Sequence, residues 1–146
     1  MAARILVIDD NRLTRWSLSK MLTRMGYAVV EASSAVDGLA AAKVYKPALV
    51  LLDINLPDQN GLRLVGALHE SDPGLPILLM SAFLTGEMEH FALRDALHLG
   101  ARGCLVKPID AGELAAIVNR ELHGESCRPR RDGAEGSRSV PNEDRQ

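Results

Sequence analysis

The chain has 146 residues, 47% of them apolar and 25% charged, with a formal net charge of −2. That balance fits one globular domain able to bury roughly two-thirds of its unfolded surface, and it lacks the basic footprint of a nucleic-acid or anionic-membrane binder. No apolar run approaches the roughly 20 residues of a membrane helix, the four apolar residues before Asp9 are too few for a signal peptide, and Cys104 and Cys127 have neither metal-type nor disulfide-framework spacing, so the expectation is a reduced, cytoplasmic chain without a structural metal.

In chain order, Ile5-Leu6-Val7-Ile8 is a short apolar run that reads as a buried strand and ends at Asp9-Asp10. Leu18, Met21, Leu22 and Met25 then follow the spacing of an amphipathic helix, with Gly26 at the position of a helix C-terminal glycine. Residues 27–32 read as a second strand. Ser34 and Asp37 resemble a capping pair for a helix through Ala40-Ala41-Ala42 to about Tyr45, which Pro47 cannot continue. Ala48-Leu49-Val50-Leu51-Leu52 is the third strand. It ends at Asp53 and is followed by the turn-rich Leu56-Pro57-Asp58-Gln59-Asn60-Gly61. Leu62, Val65, Leu68 and His69 mark a third helix that stops before Pro73-Gly74. Ile77-Leu78-Leu79-Met80 runs into Ser81, and a fourth helix is expected over about 87–99, stopped by Gly100. Cys104-Leu105-Val106 is the last apolar run read as a strand buried on both faces of the sheet and leads to Lys107-Pro108, and Asp110 with Glu113 opens a fifth helix through Leu114, Ile117, Val118 and Leu122. Strands alternating with helices in this way build an open, doubly wound α/β sheet.

Beyond residue 124 the composition changes. Residues 125–146 hold one valine, no leucine or isoleucine, two prolines and ten charged residues, too little apolar surface to offset the entropy of ordering. The expected organisation is a folded domain over 1–124 and a disordered polar tail over 125–146. No DNA-binding helix-turn-helix follows residue 124, so direct DNA binding is not expected of this chain.

The chemistry lies where the apolar runs end. In parallel sheets ligands bind outside the carboxyl ends of the strands. Asp9, Asp10, Asp53, Ser81 and Lys107 all sit at such ends, which gathers three carboxylates, a hydroxyl and an ammonium in one crevice. Carboxylate oxygens suit Mg²⁺, which keeps several waters and commonly sits beside phosphate. An aspartate can also act as a nucleophile and form an acyl phosphate. Lys107 can hold a phosphoryl oxygen, Ser81 can donate to another, and Pro108 restricts Lys107 to extended backbone. Singly, an Asp after a strand is a cap or a solvated loop residue, and a Lys-Pro is a turn. The set of four in order is what carries the reading.

On these residues the chain resembles the receiver domain of bacterial two-component response regulators, in its single-domain, chemotaxis-regulator-like form. The motifs are Asp9-Asp10, Asp53 before Leu56-Pro57 and Gly61, Met80-Ser81-Ala82, and Lys107-Pro108. The gaps of 43 residues from Asp10 to Asp53 and 28 from Asp53 to Ser81 agree with that family. The resemblance covers roughly residues 3–123. It implies a flavodoxin-like, five-stranded parallel sheet in the order 2-1-3-4-5 with five helices. It also implies a non-enzymatic signalling role, in which Asp53 accepts a phosphoryl group from a phosphohistidine of a sensor histidine kinase or a histidine phosphotransfer protein. Mg²⁺ would be held by Asp9, Asp10, Asp53 and the backbone carbonyl of Asn55, with Ser81 and Lys107 reading the phosphorylated state. Output would be protein–protein interaction, including a phosphorylation-dependent homodimer, with no membrane partner.

Two departures stand out. Cys104 occupies the place, three residues before the lysine, where receivers usually carry an aromatic residue. The gap from Ser81 to Lys107, 26 residues, is about one helical turn longer than is typical of the family. Trp16, Met21 and Met25 read as core or helix-face packing, and His69, His90, His98 and His123 as surface or boundary residues. The alternatives are a Mg²⁺-dependent phosphatase with an aspartyl-phosphate intermediate, a receiver-like module that is never phosphorylated, and a flavin-binding flavodoxin-like protein. The adjacency of Asp9 and Asp10 disfavours the first, the complete set of polar positions the second, and the acidity of the crevice the third.

Overall fold

The computed structural model describes residues 3–58, 61–82, 94–95 and 97–124. Five strands form one parallel sheet: β1 (Arg4–Ile8), β2 (Ala28–Ala32), β3 (Leu49–Asp53), β4 (Ile77–Ser81) and β5 (Gly103–Val106). Their spatial order is β2-β1-β3-β4-β5, the order that the receiver resemblance implies, in the doubly wound sheet expected from the alternation of elements. Four helices lie among the described residues: α1 (Arg12–Arg24), α2 (Ala35–Tyr45), α3 (Gly61–Ser71) and α4 (Ala111–His123). The additional helix expected over 87–99 falls mostly outside the described residues, although 94–95 and 97–98 within it are helical. The expected tail over 125–146 also lies outside them.

Burial follows the strands' place in the sheet. Every residue of β3 and β4 is buried, because helices cover both faces of a central parallel strand. The edge strands β2 and β5 are only partly buried, so the expectation of a strand sealed on both faces fails for Cys104-Leu105-Val106. Alternation sorts the core. Leu6, Ile8, Val50, Leu52, Ile77 and Leu79 join Leu64, Val65 and Leu68 of α3 in one cluster, while Leu18 and Leu22 of α1 are buried outside it.

The helix ends explain themselves locally. Asn11 Oδ1 accepts from the N–H groups of Leu13 and Thr14 and so caps α1. Gly26, at φ 97°, turns the chain out of that helix into β2. Ser34 caps α2 by accepting from Asp37 N–H. Gly38 is required for packing, since a Cβ there would lie 2.6 Å from Ile8 Cδ1. The sheet and the first three helices belong to a compact unit ending at Ala111, and the unit beginning at Gly112 contains nearly all of α4. Within α4, Leu114 and Val118 are buried, with Glu113 in the first turn and Arg120 and His123 in the last, matching the helix dipole. Trp16 corrects its sequence reading. It is 59% exposed on α1, with the Lys20 ammonium 5.1 Å from its ring centre.

Candidate functional site

The carboxyl ends of β1, β3, β4 and β5 meet at one edge of the sheet, and each delivers a polar residue there. Asp9 follows β1 directly and is fully buried. Its Oδ1 accepts from Asn11 N–H at 2.8 Å, and its carbonyl accepts from the Arg15 guanidinium at 2.8 Å. Those contacts fix the β1–α1 turn and leave Asp10 exposed at the crevice rim. Asp53 closes β3 at 4% exposure, and its Oδ1 accepts from Asn55 N–H at 2.9 Å. Ser81, the last residue of β4, is buried, and its carbonyl accepts from Lys107 N–H at 2.8 Å. That bond keeps the two residues in register despite the long segment between them.

Lys107 binds the two buried acids together. Its Nζ lies 2.7 Å from Asp9 Oδ2 and 3.1 Å from Asp53 Oδ2. The Lys107–Pro108 peptide bond is cis. Oxygens of Asp9, Asp10 and Asp53 all lie within 4.8 Å of one another. The three carboxylates expected from the sequence to converge therefore do so, with the expected lysine among them. Asn55 stands beside Asp53 through its N–H and is itself exposed, between the buried Ile54 and Leu56.

Three carboxylates against one ammonium leave the crevice electronegative. Burial, together with the charge of Asp9, pushes the Asp53 carboxyl above its ordinary 3.8, against the Asn55 N–H bond and the Lys107 cation. Burial also works against the charge on Lys107, but its ion pairs with Asp9 and Asp53 outweigh that and hold it above the ordinary 10.5. Asp9 Oδ2 is sealed from solvent and accepts no well-angled hydrogen bond, despite the nearby ammonium. A buried carboxylate oxygen with spare lone pairs, two more carboxylates within ligand range and an open rim suit a hard divalent cation that keeps part of its water shell. The donor set fits Mg²⁺.

Residues 5–119 match the family model of the response regulator receiver domain. The chain belongs to that family. Receiver domains are signalling modules of two-component systems, which bind Mg²⁺ through acidic residues and interact with histidine kinases or phosphotransfer proteins. This receiver is 39% identical over 119 residues to the probable transcriptional regulatory protein SilR of Salmonella typhimurium, a match covering 82% of this chain and 50% of that protein. It is 30% identical over 124 residues to the chemotaxis protein CheY of Bacillus subtilis, covering 84% of this chain and 100% of that one. It thus spans about half of the first relative and all of the second. Among solved structures, a CheY-like receiver domain protein from Methanospirillum hungatei superposes with a TM-score of 0.77 at 28% identity, covering 84% of this chain and 95% of that one.

Three features of the receiver were not legible in the sequence. Asp58, read only as part of a turn, reaches across to α2, where its Oδ1 accepts from Ala35 N–H at 2.9 Å and its Oδ2 from Val36 N–H at 3.2 Å. Arg15 links Asp9 to Glu31 of β2. His69 is more than a boundary residue: its ring nitrogens lie 3.2 Å from the Leu99 carbonyl and 2.9 Å from that of Leu75. Gly100 packs under the ring, where a Cβ would come within 2.8 Å of it. The only local signal for Asp58 is the preference of aspartate for helix N-termini, and it does not say which helix. Cys104 is half-buried on β5 and packs against the core cluster as a small apolar residue.

Proposed function

We propose that this receiver takes a phosphoryl group onto Asp53 from a phosphohistidine of a sensor histidine kinase or a histidine phosphotransfer protein, and that the phosphorylated form signals by binding another protein. The observation that carries the reading is the buried Asp53 carboxylate, held between Asn55 N–H and Lys107 Nζ within ligand range of Asp9 and Asp10. An Asp53 oxygen attacks phosphorus as the bond from phosphorus to the histidine nitrogen breaks. The electron pair leaves with that nitrogen, and an acyl phosphate remains on Asp53. Asp9, Asp10, Asp53 and the Asn55 carbonyl would hold Mg²⁺, which when bound supplies positive charge opposite the transferring oxygens. Negative charge then moves outward from the carboxylate to the phosphoryl group. Lys107 follows it, exchanging Asp53 Oδ2 for a phosphoryl oxygen, and Ser81 donates its hydroxyl to another.

The reading assigns 1–124 to the receiver and 125–146 to a polar tail outside it, in a cytoplasmic setting where kinase and receiver meet. Homodimerisation of the phosphorylated form is part of it, and direct DNA binding by this chain is not.

The test is incubation with a small acyl phosphate and Mg²⁺, followed by intact-mass measurement. One phosphoryl group per chain, lost on treatment with hydroxylamine, is the expected result. Rapid catalytic turnover of the donor without accumulation would instead identify an aspartyl-phosphate phosphatase. Neither labelling nor turnover would identify a module that is never phosphorylated.

A further inference from the structure

The segment between β3 and α3 must do two things in the proposed site: present the Asn55 carbonyl to the cation and let Asn55 N–H bond Asp53. Several contacts tie down its start. Ile54 N–H donates to the Met80 carbonyl, and the Ile54 and Leu56 side chains are buried. Beyond Leu56 the described segment is exposed, and its anchor is Asp58. The two carboxylate oxygens of Asp58 accept separately from Ala35 N–H and Val36 N–H, both in the first turn of α2. Those N–H groups have no partner within the helix, and the positive end of the helix dipole favours a carboxylate there. The Ala35 N–H bond, and that to Val36, hold the Asp58 carboxyl below its ordinary 3.8. Ser34 caps the same helix by accepting from Asp37 N–H, within α2 itself.

We infer that Asp58 is a positioning residue for the cation site: by clamping the segment after Asp53 to the N-terminus of α2, it holds the Asn55 backbone where it can serve Asp53 and Mg²⁺. The inference rests on the function proposed above and adds a residue that touches neither the cation nor the phosphoryl group. Its consequence is a link from the start of α2, at Ala35 and Val36, to the affinity of the crevice.

The comparison of Asp58→Ala with Ser34→Ala isolates that link. Both remove a cap from the same helix and should lower the melting temperature by similar amounts, but only the first frees the segment beside Asp53. Titrating each full-length protein with Mg²⁺ by calorimetry, we expect about fivefold weaker binding for Asp58→Ala, the change that follows if a typical cap contribution is expressed at the site. Ser34→Ala should bind as the unchanged protein does, and Asp58→Asn, which keeps one acceptor oxygen, should recover part of the loss. Equal Mg²⁺ affinity for Asp58→Ala and the unchanged protein overturns the inference while leaving the proposed site intact. Equal weakening by Ser34→Ala also overturns it, because helix stability alone would then account for the effect. If the unchanged protein binds no Mg²⁺ and takes up no phosphoryl group, the proposed function itself falls, and this inference with it.

Discussion

The strands β3 and β5 deliver opposite charges to the same crevice from opposite surroundings. All five residues of β3 are buried, and its last, Asp53, sits at the end of a strand that packing holds rigid. β5 is an edge strand, only partly buried, and the lysine that follows it reaches 3.1 Å from Asp53 Oδ2 on a flexible side chain. The two buried acids therefore sit on short side chains at buried strand ends, while their counter-charge reaches them on a long side chain from the sheet edge. The function proposed above draws on that division, with an acceptor at the end of a buried strand and a cation on a long side chain that would follow the charge as it leaves the carboxylate.

The most drastic way to break the comparison is Asp53→Ala. It should abolish phosphoryl uptake while circular dichroism shows an intact fold; undiminished labelling of that variant would remove Asp53 as acceptor. Next comes Lys107→Met, which strands two buried carboxylates without a counter-ion. In chelator it should destabilise by about 3 kcal/mol in urea unfolding, in the range for removing one partner of a buried ion pair. Mg²⁺ should restore more stability to this variant than it adds to the unchanged protein, since the cation replaces the missing charge. A deficit that Mg²⁺ does not reduce would mean the lysine and the cation do not serve the same acids.

A smaller effect separates the two charges by pH. The Asp53 carboxyl is raised above 3.8, so the folded state disfavours its ionised form; the penalty is absent at acid pH and appears as pH rises through the raised value. Asp53→Asn should accordingly raise the melting temperature in chelator by ~3 °C at neutral pH, a gain that fades as pH falls toward 3.8. Lys107 behaves the other way. Its contribution is complete below 10.5 and is lost as pH rises through its higher folded value. A melting difference between Asp53→Asn and the unchanged protein that is flat from acid to neutral pH would contradict the assignment for Asp53. The smallest effect tests packing. Cys104→Val on β5 should change stability by less than about 1.5 kcal/mol, whereas Leu51→Ala on β3 should cost roughly 2–5 kcal/mol. Similar costs at the two positions would erase the contrast between the strands.

The same contrast explains what the sequence discloses. A central strand in a parallel sheet must be apolar throughout, so Leu49 to Leu52 announce both the strand and the exceptional Asp53 at its end. The edge strand gives a weaker signal, and Lys107 was placed by the short apolar run before it and by its Pro108 neighbour, against a distance from Ser81 that departs from the family. The helix cap at Ser34 acts within a few residues and leaves a local pattern. Asp58 on Ala35 and His69 on Leu99 act across 23 and 30 residues, where no periodicity applies and only the folded chain shows the partner. Trp16 misled for a related reason: its size suggests burial, but Leu18 and Leu22 fill the inward face of α1 and leave it outside.

The central claim is that Asp9, Asp10 and Asp53 act as one site for one divalent cation. Calorimetric titration with Mg²⁺ of the unchanged protein and of Asp53→Asn, at neutral pH, measures it directly. The account predicts one Mg²⁺ per chain for the unchanged protein, and for the variant binding weakened at least tenfold, the loss of ~1.4 kcal/mol or more expected when one carboxylate ligand becomes neutral. No saturable binding, or the same affinity in both proteins, would contradict it.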